Sequence, residues 1–318
     1  MIVHVHLWPI LMRGSGHDKA SNNHPVGLAL RSIANQVGDQ VFDQRTTPSN
    51  AKDVINVTFA PTIKFFDKYP ELKESEHWFY LDSGPYMAIQ KTRERTREDE
   101  LKYRRFKMCH NHPSNIGLIG DYDEKRNHIY NEEYKVHSYK EGRFILLLCQ
   151  SKASFMFPKS MDVYKWAQQT IQNLRKYTDR PIVIRPHPRN RMDTGDMKKL
   201  CKSNENVIMS SRFIADGKTK EPSLFEELSE CHAAITYNSA AATDSLLFGI
   251  KTYSFDEKCL AWDASLDESG IPNIEEPLRH VDRDEWLKKM AYASWNIEEF
   301  GDGTVRQYLC SMKEKVNV

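Results

Sequence analysis

Two short segments carry the residue types best suited to binding a phosphate group. The first, Arg185-Pro-His-Pro-Arg189, directly follows an apolar run, and its two prolines hold the backbone extended. Arg185, His187 and Arg189 would then meet at the end of a strand, where arginine forks match phosphate oxygens. This group suits a diphosphate whose charge grows as it leaves. The alternative interpretation is a surface loop with ion-paired arginines.

The second segment, residues 238–244, reads Asn-Ser-Ala-Ala-Ala-Thr-Asp and has the pattern of a polar turn that opens a helix. Asn238 or Ser239 is expected to cap that helix, and the small alanines allow a ligand to approach. The free N–H groups and partial positive charge of a helix start attract a diphosphate. An ordinary cap on a packed helix is the alternative. The predicted diphosphate-binding residues are Arg185, His187, Arg189, Asn238, Ser239, Ala240, Thr243 and Asp244.

Weaker signals in the first half indicate a place for a second substrate. Gly14-Ser-Gly16-His17 follows the first apolar run, where a glycine turn lets the backbone approach a ligand, although it lacks the rest of a dinucleotide fingerprint. Asp82 ends another apolar run shortly before Tyr86, and a carboxylate there could take the proton of a hydroxyl substrate. Asp82 is the first candidate for this base and His17 the second. The alternatives are a turn-forming aspartate and a structural histidine.

A basic stretch, residues 91–107, contains eight Lys or Arg and four Asp or Glu, with two aromatic residues interleaved. Arginines alternating with aromatic residues can follow a phosphate backbone and stack on bases, which favours double-stranded DNA as a partner. The alternative is a solvated, partly helical segment with ion pairs between successive turns. Arg104 and Arg105, with Lys102 and Lys107, form its least neutralised part.

The order of the predicted elements decides where these segments lie. In the second half, strands are predicted at 144–150, 181–184, 207–209, 233–237 and 251–255. Helices are predicted at 161–177 with Ser160 as cap, 194–202, 222–229 and 239–248, the last ending at Gly249. This alternation is typical of a parallel sheet with helices on both faces, whose ligands bind at the carboxyl ends of the strands.

The first half is less regular. Strands are predicted at 2–7, 54–59 and 77–81, helices at 26–37 and 62–72, and an irregular stretch at 117–142. Helices at 284–293 and 304–315 close the chain.

Composition narrows the class of protein. A chain of 318 residues is expected to form two domains, and a formal net charge of +1 gives no overall field that would attract nucleic acid or an anionic membrane. No apolar run approaches the roughly 20 residues of a membrane-spanning helix, and the first residues do not resemble a secretion signal. Six scattered cysteines indicate reduced thiols in a cytoplasmic protein. No metal site is predicted. His110-Asn-His112 has no residues nearby that would complete one, and Asp121-Tyr-Asp123 lies in a polar stretch rather than after an apolar strand.

With these segments in view, the chain resembles the GT-B glycosyltransferases, in particular phage-encoded and capsule-type enzymes. The matching stretches are Tyr80-Leu-Asp-Ser-Gly-Pro-Tyr86, Lys102-Tyr-Arg-Arg105, Thr178-Asp-Arg-Pro-Ile-Val-Ile-Arg185, residues 236–250 and Trp295-Asn-Ile-Glu-Glu299. The resemblance runs from about residue 77 to the C-terminus and is more specific in the second half. Two departures are Asp244, where the group commonly has glutamate, and Pro85, where it usually has tyrosine.

The resemblance implies two Rossmann-like domains that face each other across a cleft. Residues 1–142 would bind the acceptor, residues 143–295 would bind a nucleotide-sugar donor, and a last segment, 296–318, would return to the first domain. Enzymes of this fold commonly need no metal or other cofactor, and a UDP-sugar would serve as the co-substrate. The expected donor-binding residues are those of the diphosphate set, and the expected acceptor-binding residues are Gly14, Gly16, Tyr86, Arg104 and Arg105.

The acceptor remains open between a hydroxymethylated pyrimidine in phage DNA, such as 5-hydroxymethylcytosine, and a capsular or cell-surface polysaccharide. Two further alternatives are a module that binds nucleotide or DNA without turnover and a UDP-sugar epimerase of the same fold.

Overall fold

The computed structural model describes most of the chain in several ranges. They are residues 1–8, 24–59, 78–83, 105–110, 124–126, 129, 136–150, 157–158, 160–187, 194–210, 224–278 and 282–316. The chain divides into two compact units, of which the first comprises residues 1–127 together with 287–318 and the second comprises residues 128–286. The predicted helix at 62–72 and most of the basic stretch lie outside the described residues.

Each unit contains one five-stranded sheet. The described strands are β1 (Ile2–His6), β2 (Gln40–Phe42), β3 (Val54–Phe59), β4 (Trp78–Ser83), β5 (Phe106–His110), β6 (Phe144–Leu148), β7 (Ile182–Arg185), β8 (Val207–Met209), β9 (Cys231–Thr236) and β10 (Lys251–Ser254). The described helices are α1 (Pro25–Ile33), α2 (Val163–Leu174), α3 (Thr194–Ser203), α4 (Leu224–Glu230), α5 (Ala241–Leu247), α6 (Asp284–Tyr292), α7 (Ile297–Gly301) and α8 (Thr304–Val316).

The first unit has the strand order β2-β1-β3-β4-β5, in which β5 alone runs antiparallel to its neighbour. Alternate residues of β1, such as Val3 and Val5, point into an apolar core that also contains residues of α1 and α8. The C-terminal segment contributes Trp295, Phe300 and Leu309 to this core. The core of the first unit is therefore completed by residues from the far end of the chain.

Polar contacts fix this return in place. Arg306 donates to Asp39 at 3.0 Å, and the Arg126 guanidinium donates to Glu299 at 2.5 Å and to the carbonyls of Ala291 and Ser294. Arg126 also stacks over the Trp295 ring at 3.9 Å. Because both guanidinium groups are almost fully buried, these contacts hold the closing helices in a defined orientation.

The second unit has the order β10-β9-β6-β7-β8, and all neighbouring strands are parallel. Apolar clusters cover both faces of this sheet, one with α2 and α3 and the other with α4 and α5. The predicted α/β class, with a mainly parallel sheet in each half, is confirmed.

The path of the chain through the second sheet creates a topological switch point. From β6 the chain moves outward to β7 and β8, then returns to β9 on the other side of β6. The connections after β6 and β9 therefore leave in opposite directions, and ligands of such sheets bind in the crevice where this happens.

Three local predictions are corrected. The basic stretch ends in a strand, β5, because Phe106 and Met108 face the apolar core and pairing with β4 outweighs the helical pattern of charges. Helix α2 begins after Asp162, not Ser160, since the Asp162 carboxylate accepts from the amides of Tyr164 and Lys165. Strand β2 is not predicted from the sequence, and the C-terminal helix expected at 296–318 is divided into α7 and α8. None of the described helices is long and apolar enough to cross a membrane.

Candidate functional site

Four polar residues stand in a row along the carboxyl edge of the second sheet. Each lies two residues beyond the end of its strand, and the row, in spatial order from β10 through β9 and β6 to β7, is Asp256, Asn238, Gln150 and His187. The last residues of these four strands are paired with one another in register, so the four positions lie at the same height along the strand direction. We call these residues the edge row.

Three members of the edge row form one hydrogen-bonded network across the switch point. The Gln150 side-chain amide donates to Asn238 Oδ1, and the Asn238 backbone N–H lies 3.4 Å from Gln150 Oε1. Asn238 Nδ2 donates to Asp256 Oδ2 at 2.6 Å. Gln150 and Asn238 are buried and Asp256 is half-buried. The network therefore fixes the orientation of the Asn238 amide, which is engaged with the neighbouring strands and does not cap α5.

Helix α5 begins at the same place, and its first amides are already used. Ser239 Oγ accepts from Ala241 N at 3.3 Å, Ser239 O accepts from Ala242 N at 3.0 Å, and Ala240 O accepts from Thr243 N at 3.1 Å. The Thr243 hydroxyl is buried and donates to Ala240 O at 2.6 Å. The expectation of free N–H groups is therefore corrected, because a tight first turn satisfies them within the chain.

The Asp244 carboxyl is buried inside this helix, and its Oδ1 has no hydrogen-bond partner. Burial raises the pKa of Asp244 well above its ordinary value, because the charged form loses its solvation. This favours a neutral carboxylic acid. The resemblance implies that Asp244 binds the donor. To bind donor hydroxyls as a charged carboxylate, Asp244 would have to become exposed to solvent or gain a hydrogen-bond partner.

Arg185, the last residue of β7, is paired within the protein. Its Nη1 donates to Glu227 on α4, and the other carboxylate oxygen of Glu227 accepts from the Ser210 hydroxyl just after β8. Arg185 and Glu227 are both buried. Glu227 balances the charge of Arg185, and the pair is buried rather than in a surface loop. His187 beyond it is half-buried.

The two helices that start beside the switch point differ in the charge of their caps. Helix α2 follows β6, and its N-terminal amides are occupied by the Asp162 carboxylate at 2.8 and 3.3 Å. Helix α5 follows β9 and is capped only by the neutral Ser239 hydroxyl. Because a carboxylate at a helix start repels a second anion, α5 is the better place for a diphosphate.

The acceptor-side residues are largely beyond the described ranges. Gly14, Gly16, His17, Tyr86 and Arg104 lie outside the described residues, as does Arg189 of the donor-binding set. Asp82 lies in β4 at the carboxyl end of that strand, directly opposite Lys107 of β5.

Arg105 is in the described range, and its prediction as part of the least neutralised segment is corrected, because it has a carboxylate partner. It is buried and donates to Glu299 at 3.3 Å, and Lys107 is also buried. These two basic residues belong to the interior of the first unit because β5 pairs with β4 and carries them inward.

Three residues of the second unit's carboxyl edge were not predicted from the sequence. Gln150 and Asp256 could have been found by applying the strand-end rule to every predicted strand, since each directly follows an apolar run. Glu227 could not, because it lies within a helix and only tertiary packing brings it to Arg185. Among the described residues, no group of three His, Cys, Asp or Glu side chains is placed to hold a metal ion.

The chain is similar to known proteins in structure, whereas the sequence comparisons find no match. No family model matches the chain, and no curated protein matches it. Among solved structures, the chain is similar to the beta Kdo 2,7 transferase of Thermosulfurimonas dismutans KpsC, with a TM-score of 0.47 and 11% identity over 97% of this chain and 100% of that one. The beta Kdo 2,4 transferase of the same protein matches with a TM-score of 0.45 and 14% identity, over 92% of this chain and 90% of that one.

The C-terminal domain of the group 1 glycosyl transferase LpcC from Francisella tularensis matches with a TM-score of 0.28 and 14% identity, over 61% of this chain and 97% of that one. At these TM-scores and identities the likeness does not decide the family or the activity of this chain.

Proposed function

We propose that the chain is a GT-B glycosyltransferase that moves a sugar from a nucleoside-diphosphate sugar to a hydroxyl acceptor. The observation that carries the proposal is the switch point of the second sheet, where the edge row, the Arg185–Glu227 pair and the start of α5 converge. A nucleotide placed there would have its diphosphate beside α5 and the β7 end. Arg185 and Arg189 would support the leaving group, and Asn238, Ser239 and Ala240 would line the helix side.

The buried Arg185–Glu227 pair suits this role. A guanidinium held by a carboxylate is fixed in position before a ligand arrives, and electrostatic stabilisation of a leaving group depends on such preorganisation. The acceptor oxygen forms a bond to the anomeric carbon, while the bond from that carbon to the diphosphate breaks and the diphosphate leaves with the electron pair. No metal or other cofactor enters this scheme, in which His187 and Arg189 would offset the charge of the leaving group.

A base must take the acceptor's proton, and Asp82 is the first candidate, with His17 second. Asp82 is the penultimate residue of β4, which runs parallel to β3, and substrates of such sheets bind at the carboxyl ends of the strands. Asp82→Asn keeps the shape and removes the base, so kcat should fall by about 100-fold or more. Measuring kcat for Asp82→Asn and His17→Gln assigns the base, and a kcat unchanged in both variants would remove these two residues from the mechanism.

The donor is tested by thermal shift with a panel of nucleotide-sugars, because a ligand that binds only the native state stabilises it, by about 2.7 kcal/mol at 100-fold excess over Kd. Transfer is then followed by mass spectrometry of the acceptor. A UDP-sugar is the expected donor. Nucleotide binding without consumption of any donor would favour the non-catalytic module, and free UDP without a glycosylated product would favour the epimerase.

For the acceptor, a hydroxymethylated pyrimidine in double-stranded DNA is proposed first, with a capsular or cell-surface polysaccharide as the alternative. Burial of Arg105 and Lys107 reduces the basic surface that the DNA alternative needs, so residues 91–104 would have to supply it. A gel shift with hydroxymethylated duplex DNA at low salt, followed by mass spectrometry of the digest, tests this. Absence of binding and of modified bases would leave the polysaccharide.

A further inference from the structure

Asp256 is a carboxylate without a cationic partner at the acidic end of the edge row. Asn238 Nδ2 donates to one of its oxygens at 2.6 Å, and the backbone N–H of Lys258 donates to the other at 3.1 Å. Among the described residues no Lys, Arg or His forms an ion pair with it. Its side chain is half-buried, so both oxygens keep lone pairs that a ligand can reach.

The charge of Asp256 acts on a neighbouring aromatic side chain. Burial raises the pKa of Tyr237, and the Asp256 carboxylate raises it further by opposing a second negative charge. Tyr237 immediately precedes Asn238 and packs its ring against Phe157 at 5.0 Å between centroids. Asp256 therefore lies beside a partly exposed aromatic side chain, at one end of the edge row, whose other end carries His187 and, two residues earlier at the end of β7, Arg185.

Charged groups are therefore distributed unevenly along the carboxyl edge. Basic groups lie at the β7 end and a lone carboxylate lies at the β10 end, with two neutral amides between them. Glu227 balances Arg185 at the first end, whereas the carboxylate at the second end repels an anion. A half-buried carboxylate that already accepts two N–H groups gains most from further donors that carry no negative charge, and sugar hydroxyls are donors of this kind.

We propose that Asp256 binds a vicinal diol of the nucleotide-sugar and so determines in which direction the donor lies along the edge row. Gln150 is a positioning residue, which acts on Asp256 through Asn238. This inference rests on the proposed function, since it assumes a nucleotide donor at this edge. Two diols have the same chemistry, that of the ribose and that of the transferred sugar, and the test separates them.

The experiment is isothermal titration with the nucleoside diphosphate that binds best in a panel, with its 2′,3′-dideoxy analogue, which lacks both hydroxyls of the ribose diol, and with the corresponding nucleotide-sugar. Asp256→Asn keeps the size of the side chain and removes its charge. Loss of a charge-assisted hydrogen bond should weaken the affected ligand about 10-fold or more. If the ribose is bound, the variant weakens the diphosphate and the nucleotide-sugar alike and leaves the dideoxy analogue unchanged. If the transferred sugar is bound, only the nucleotide-sugar weakens.

Asp267→Asn is the matched control, because Asp267 accepts from the amide two residues ahead of it, as Asp256 does, but makes no contact with the edge row. It should leave all three affinities unchanged. Gln150→Ala should reproduce part of the Asp256→Asn effect on the same ligand only.

Two results overturn the inference while leaving the proposed function intact. One is an Asp256→Asn variant that binds all three ligands as wild type does. The other is a variant that weakens all three equally, the dideoxy analogue included, which would show a general structural role. Failure of the wild-type protein to bind any nucleotide in the panel would overturn the proposed function together with this inference.

Discussion

At the scale of single residues, the second unit balances the buried charge of Arg185 within the chain. Glu227 neutralises Arg185 and also accepts from Ser210, so all three side chains are engaged below the carboxyl edge. The sequence correctly indicates that a guanidinium ends β7, but not that a carboxylate from α4 meets it. Residue type and strand order predict which groups reach the edge, whereas ion-pair partners depend on packing between elements that are distant in sequence.

Replacing Glu227 by glutamine should therefore separate stability from anion binding. The variant leaves the Arg185 charge buried without a counter-charge, which costs about 3 kcal/mol of unfolding free energy. An anion at the edge would restore part of this balance, so affinity for pyrophosphate should rise. Urea unfolding and isothermal titration measure the two effects.

Glu230→Gln is the control for this experiment. Glu230 lies on the same helix but pairs with Arg143 at the surface, where both side chains are well exposed, and such pairs contribute about 0.5 kcal/mol or less. Wild-type stability in Glu227→Gln would contradict a buried, charge-balanced Arg185.

His6 gives a second residue-scale prediction, on pH dependence. Its ring is buried, Nε2 lies 3.0 Å from Asn56 Oδ1, and burial lowers the pKa of His6 to about 4 from its ordinary 6.5. Between pH 6.5 and 4 the unfolded chain binds a proton that the folded chain does not, so stability is present above pH 6.5 and is lost as pH falls towards 4. The full loss is about 3 kcal/mol.

Urea unfolding across this pH range, compared between wild type and His6→Gln, isolates the contribution of His6. The difference between the two proteins should vary mainly between pH 6.5 and 4. A difference that is constant over this range would show that His6 does not titrate on unfolding.

At the scale of elements, helix ends illustrate what the sequence can and cannot predict. Gly249 is predicted to end α5, and it does so with a φ of 71°, a conformation that favours glycine. The cap of α2 is mispredicted, because Ser160 and Asp162 are both good caps and only the path of the preceding chain decides between them. Strand β5 is not predicted for a related reason. The charged residues before it obscure its alternation of apolar and polar positions, and only its pairing with β4 shows that the segment is a strand.

Gly249→Ala should be strongly destabilising. A Cβ there would lie 2.0 Å from the Ser138 carbonyl oxygen, and the backbone angle adds strain. A loss of about 3 kcal/mol or more in urea unfolding is expected. Gly195→Ala is the control, because nothing lies within 4 Å of its Cβ in helix α3 and alanine should be neutral or stabilising there. Equal stabilities of the two variants would contradict the described approach of residue 138 to α5.

At the scale of the whole molecule, the first unit depends on the C-terminal segment for its core. Trp295, Phe300 and Leu309 are buried against strands from the first 110 residues. The parallel sheets of both units are predicted from alternating apolar runs and helices. The composition of each core is harder to predict, since periodicity shows that α8 has an apolar face but not which sheet it covers.

Removal of residues 287–318 should therefore unfold the first unit while the second keeps its core, because the second unit's clusters contain no residue beyond 286. Hydrogen exchange measured by mass spectrometry tests this. Amides of β1 and β3 should lose protection, and those of β6 and β9 should keep it. Retained protection in β1 and β3 would show that the closing helices are not needed for the first core.

The central claim is that a nucleotide-sugar donor binds at the carboxyl edge of the second sheet. A crystal structure of the protein with a nucleoside diphosphate from the binding panel tests it most directly. The diphosphate is expected beside Ser239 at the start of α5 and on the side of His187. A nucleotide bound away from the carboxyl ends of β6 and β9 would contradict this claim.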